Sequence, residues 1–128
     1  MTPEQAIQRL VFHTMPEPGG FLDMLRPYHG LKQDVLVDVM DALKASASII
    51  RAATLPRELV SALWCISYLG KMWSLAPDGM IRGNNLINDA DLAMLEKFFK
   101  RFDWAVRVLL GDGDSIDSAF TDPGPASK

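Results

Sequence analysis

Apolar residues recur along this chain at spacings of three and four, the signature of amphipathic helix. Ile7, Leu10 and Val11 give the inner stripe of a first helix. Thr2 is placed to cap it, Pro3 suits its first turn, and Gln5 stands at the reciprocal capping position. Pro16, Pro18, Gly19 and Gly20 end it. Phe21, Leu22, Met24 and Leu25 fit a short helix that must stop before Pro27, because the residue before a proline avoids the helical region. Leu36, Val39, Met40, Leu43, Ala47 and Ile50 predict a long helix over residues 31–53, with Asp34, Asp38 and Asp41 sharing its opposite face. Thr54 is a plausible N-cap for the next element, with Pro56 in a first turn.

That next element, residues 57–75, differs from the others. No charge occurs between Glu58 and Lys71, and Leu59, Val60, Leu63, Trp64, Ile66, Leu69, Met72 and Trp73 cover almost every helical face. A helix apolar all round is expected to be buried all round. Trp64 at its middle should therefore be fully buried, and truncating it should cost about 3–5 kcal/mol. Residues 76–88 form a loop in which Gly83-Asn84, between Met80-Ile81 and Leu86-Ile87, could close a tiny hairpin over 80–87. Asn88 then caps a last helix, with Asp89 and Asp91 in its first turn where the helix dipole favours them. Leu92, Leu95, Phe99, Phe102, Val106 and Leu109 form its inner stripe, beside Phe98 and Ala105, and Gly111 stops it.

The expected fold is all-α: a single bundle of four or five helices over residues 1–111, arranged around the helix at 57–75. Residues 112–128, rich in Asp, Ser, Gly and Pro, are expected to be an acidic disordered tail. The length of 128 residues suits one domain, large enough to fold without disulfide or metal. Four aspartates after Gly111, set against Lys128, account for the net charge of −3 and leave residues 1–111 neutral, with 12 acidic and 12 basic side chains. A neutral body gives no reason to expect a polyanionic partner. The single cysteine, Cys65, permits no internal disulfide and fits a reducing compartment. The charged residues near the N-terminus do not match a signal peptide, and the uncharged run is too short for a membrane span. A cytoplasmic protein with no membrane partner is the expectation.

Candidate chemistry is sparse. Residues Ser74 to Asn85 lie where an EF-hand loop would lie, and Asp78-Gly79-Met80-Ile81 matches its middle. Ser74, Ala76 and Asn85 occupy the positions where calcium needs its acidic ligands, so the chemistry fails. Asp112-Gly113-Asp114 lacks the later residues of such a loop. His13 and His29 have no second ligand at metal-binding spacing, except Glu17 across Pro16. His13 instead falls near a helix C-terminus, where a cation suits the dipole. Cys65 in an apolar helix behaves as a small hydrophobe. No cofactor is expected, and no nucleophile, base and orienting group can be assembled into an enzyme.

Two charged faces remain. Lys97, Lys100, Arg101, Trp104 and Arg107 share one side of the last helix, where Glu96–Lys100 and Asp103–Arg107 can pair. Asp34, Asp38 and Asp41 are like charges that disfavour their own helix. Each pattern first fits a solvated face. An exposed Trp flanked by Arg also favours protein interfaces, and the aspartates offer the opposite sign. The expectation is a non-enzymatic helical interaction or regulatory protein that forms a homodimer, with the basic face meeting the acidic face of a second copy. The alternative is a winged-helix type of DNA-binding regulator, with Met80 to Ile87 as the wing. Its recognition helix would be 57–73, which lacks the polar face such a helix needs.

Overall fold

The computed structural model describes residues 1–111 and 115–121. It is all-helical, as expected, with seven helices among the described residues: α1 (Pro3–Phe12), α2 (Phe21–Leu25), α3 (Gln33–Ala45), α4 (Ala47–Ile50), α5 (Arg57–Ser74), α6 (Asp89–Leu110) and α7 (Ile116–Ala119). Helix α5 packs against α1, α2 and α6; α3 packs mainly against α1, and α7 against α6.

Local signals account for most element ends. The Thr2 hydroxyl accepts the Gln5 N–H while the Gln5 side chain accepts the Thr2 N–H, a reciprocal box that satisfies two otherwise orphan donors. Asn88 accepts the Asp91 N–H at the start of α6. The helix expected over 31–53 is instead two, broken at Ser46. The buried Ser46 hydroxyl donates to the Leu43 carbonyl, and this back-bonding bends the backbone (ψ of 1°) between α3 and α4. Thr54 is not a cap: Pro56 stands at the N-cap of α5, with no side-chain cap.

The core is apolar and aromatic. Phe21, Phe98, Phe99 and Phe102 are buried together, with ring centroids 5.2–5.9 Å apart in tilted, edge and stacked contacts. Gly70 of α5 lies against this cluster; a Cβ there would come within 2.7 Å of the Phe99 ring. Of the expected inner stripe of α6, Leu95, Phe99, Phe102 and Leu109 are buried, whereas Leu92 and Val106 are only half-buried and Phe98, Ala105 and Val108 are buried with the stripe.

Two expectations fail, the hairpin and the unstructured tail. Residues 80–87 are a series of turns, and no strand occurs among the described residues, so there is no hairpin. Ile81 is buried and donates its N–H to the Trp73 carbonyl, which folds the loop back on the end of α5, while its own carbonyl accepts the Leu86 N–H in a turn without forming a strand pair. Ser74, the first position of the supposed calcium loop, belongs to α5 and spends its hydroxyl on the Gly70 carbonyl. Residues 115–121 of the expected tail are ordered: Ser115 caps α7, Ala119 is buried, and Phe120 lies 5.9 Å from the Lys44 ammonium. That turn has apolar side chains to bury, which the acidic composition of the whole segment concealed. Residues 112–114 and 122–128 lie outside the described residues.

Candidate functional site

Helix α5 is buried on one side only. Leu59, Ala62, Leu63, Ile66 and Gly70 face the core. Val60, Trp64, Tyr68 and Met72 face outward, 48 %, 58 %, 46 % and 45 % exposed. The expected burial of Trp64 is therefore wrong. Its ring stacks on Tyr68 one turn away, with centroids 4.5 Å apart and planes at 14°. These four residues follow one another at i+4, the row that makes a ridge on a helix surface. Beside the ridge runs a small trough lined by Leu63, Phe102, Val106 and the half-exposed Leu110. The rim is polar: Lys71 and Ser67 both donate to Asp103, at 2.7 and 2.6 Å, locking α5 to α6. Asp103 thus turns to α5 and not to Arg107, its expected partner on the same helix.

The faces singled out from sequence lie elsewhere. Lys97, Lys100, Arg101 and Arg107 are exposed on α6. Trp104 is half-buried against the core, and Arg107 stands 5.5 Å above its ring. Its Nε1 is hidden from solvent and has no hydrogen-bond partner among the described residues. Trp104 is therefore a packing residue more than a surface anchor. On α3, Asp34 and Asp41 are exposed, but Asp38 turns inward. The acidic and basic faces meet within one molecule: Asp41 lines one wall, and Lys97 and Arg101 the other, of a groove of about 580 Å³ between α3 and α6.

Asp38 serves the fold. Its Oδ2 accepts from Arg9 Nε and from His13 Nε2, each at 2.6 Å. His13, fully buried, accepts the Phe21 N–H on Nδ1 at 3.0 Å. An acceptor at Nδ1 places the proton of the neutral ring on Nε2, where it is donated to Asp38. Both ring nitrogens are occupied, so the ring joins α1, α2 and α3. Burial lowers the His13 pKa and outweighs the opposing pull of Asp38, so the ring is neutral, not the dipole-stabilising cation expected of it. Burial alone would raise the Asp38 carboxyl, but the hydrogen bonds from Arg9 and His13 hold it below the usual carboxylate range. His29 is exposed and Cys65 half-buried.

No family model, curated protein or solved structure matches the chain. Among the described residues, no helix is long and apolar enough to cross a membrane. Nor does any group of three or more His, Cys, Asp or Glu gather where it could hold a metal ion. The outer ridge of α5 is thus the feature that calls most strongly for an explanation. Sequence reasoning missed it because an all-apolar helix was taken to be enclosed. The signal was present in Trp64 and Tyr68, two amphipathic aromatics at i+4 with Ser61 and Ser67 alongside them.

Proposed function

We propose that this chain is a non-enzymatic helical interaction protein that acts as a homodimer, and that the outer ridge of α5 is its self-association face. The observation that carries this reading is the exposure of Val60, Trp64, Tyr68 and Met72 in one continuous row. With Leu110, the ridge presents on the order of 400–500 Å² of apolar side chain, taking ~150–250 Å² for a whole large ring. That is within the range of the largest patches on ordinary monomers, which are often functional. It would form the apolar centre of an interface of about 800 Å² per partner, completed by the polar rim.

A second copy suits the ridge for two reasons. Rows at i+4 interdigitate when two helices cross at about 50°, the commonest packing class. A two-fold axis between Trp64 and Tyr68 then sets each Trp64 against the partner's Tyr68, and Val60 toward the partner's Met72. In this antiparallel arrangement Lys71 falls opposite Ser61 of the second copy. A parallel pair would set Lys71 and Arg57 against their own copies, with like charges facing. Cytoplasmic location belongs to the same proposal and rests on the single free cysteine.

Sedimentation equilibrium of the chain and of Trp64→Ala tests it. Wild type should dimerise, and the variant should lose a few kcal/mol of association as expected for a central aromatic anchor. Its monomer should lose only about 0.5–1.5 kcal/mol, the value of one aromatic stack. A wild-type chain monomeric at hundreds of micromolar would overturn the homodimer, since ~1 mM dissociation corresponds to only about 4 kcal/mol. The winged-helix alternative gains nothing, for residues 80–87 form no wing and the outward face of α5 is apolar.

A further inference from the structure

We infer that the groove between α3 and α6 is a second binding site, built to take an amphipathic helix of another polypeptide that is apolar on one face and acidic along one edge. The site is independent of the α5 ridge. On an ideal helix at 100° per residue, Lys97 and Arg101 lie on the side of α6 opposite to Asp103 and Leu110, which border α5.

The groove has a floor of Leu36, Met40 and Phe98. Val37 and Met94 stand on its edges, 52 % and 36 % exposed, although each is a residue that burial would stabilise. Methionine adapts its shape to whatever lies against it, as binding grooves require. The lined length of α6, from Ala90 to Arg101, is about 16 Å at 1.5 Å per residue. That is the length of three turns of helix. The trough is open along its length, so a small ligand would leave much of its surface in water, contrary to what small-molecule sites achieve. An extended helix with one wet face has no such difficulty.

Charge selects the occupant. Asp41, Lys97 and Arg101 make no ion pair with one another or with any other described residue. Lys97 and Arg101 are one turn apart, so they can meet a pair of acids at i and i+4 on an incoming helix. Asp41 on the other wall repels an acid there and admits a neutral or basic residue. Both the acidic edge and its orientation follow from this polarity. Peptide-binding grooves read helices in this way, with apolar anchors at i, i+3/i+4 and i+7 and charges at the rim setting specificity.

The test is a fluorescence-anisotropy titration with two synthetic 15-residue helical peptides sharing one leucine face. One carries glutamates along one edge, the other lysines, and the remaining edge is glutamine in both. The full-length chain should bind the glutamate peptide roughly tenfold more tightly than the lysine peptide at low salt. The doubly reversed variant Lys97→Glu, Arg101→Glu should invert this preference, a gain of binding that an unfolded variant could not give. Val37→Ser, at an exposed edge position, should weaken both peptides. Failure of both peptides to bind, equal binding of the two, or a preference unchanged by the reversal would each overturn the proposal.

Discussion

Replacing Gly70 with alanine is the sharpest test of how α5 meets the core. In an open helical site this change stabilises by about 0.5–1 kcal/mol, because glycine loses more backbone freedom on folding. Here the added Cβ would lie 2.7 and 2.9 Å from Cζ and Cε1 of Phe99 and 3.0 Å from Cε2 of Phe21. Those rings cannot step aside: Phe99 is 2 % exposed and sits edge-on against both Phe21 and Phe98. Inserting a methyl into such a site costs about 1–3 kcal/mol. Setting one effect against the other leaves a net loss of about 1–2 kcal/mol. Urea unfolding should show a lower midpoint at unchanged slope, and the melting temperature should fall by roughly 5–10 °C. A Phe99→Leu change in the same chain should recover part of the loss, so that the two substitutions couple by more than about 0.5 kcal/mol. If Gly70→Ala alone raised the midpoint, the close approach of α5 to the Phe21–Phe99 pair would be refuted.

Stability should also depend on His13. Its folded pKa lies below 6.5, so below that pH the unfolded chain takes up the proton first; stability should fall as pH drops from about 6.5, and in His13→Gln that limb should flatten in urea midpoints taken from pH 8 to 5. Asp38 adds a second loss below pH 3.8, its unfolded value, continuing through its lower folded pKa; Asp38→Asn should remove this limb while weakening the protein at neutral pH. Deleting residues 115–128 should cost about 1–2 kcal/mol, since it strips buried Ala119 and half-buried Ile116 and Phe120 from α6, less the entropy of ordering them. A deletion that melts like the whole chain would show α7 to be energetically idle.

What was legible in the sequence was local. Thr2 with Gln5, and Asn88 before two aspartates, mark helix starts because the capping chemistry is complete within a few residues. The inner stripe of α6 follows from period alone. What was illegible depended on distant partners. Nothing near Asp38 says that it meets Arg9 and His13, 29 and 25 residues away, so it was grouped with Asp34 and Asp41 by spacing. Ser46 reads as an ordinary helical position until its hydroxyl finds the Leu43 carbonyl. Asp103 has Arg107 at an inviting distance along the helix, yet Lys71 and Ser67 reach it from α5. For the candidate sites, the basic and acidic faces were visible as residue types, but their meeting across one groove required the fold.

The most instructive error concerns α5, because the principle behind it was sound and its application incomplete. An all-apolar helix needs cover on every side. In this chain α1, α2 and α6 supply it on the inner side, and α3 is spent on α1. No further described element reaches the ridge, which is why Trp64 and Tyr68 stack on each other in the open. Every other long helix carries charge on its outward face: Glu4 on α1, Asp34 and Asp41 on α3, Lys97, Lys100 and Arg107 on α6. Only α5 leaves the middle of its outward face without charge, at some sacrifice of solubility. A monomer gains nothing from that arrangement, whereas a self-complementary interface requires it, since a charge near a two-fold axis faces its own copy or must be desolvated. Under the homodimer proposed above, the cover expected for Trp64 from sequence would be supplied by a second chain, and the exposed ring of the single chain is the feature that proposal has to explain.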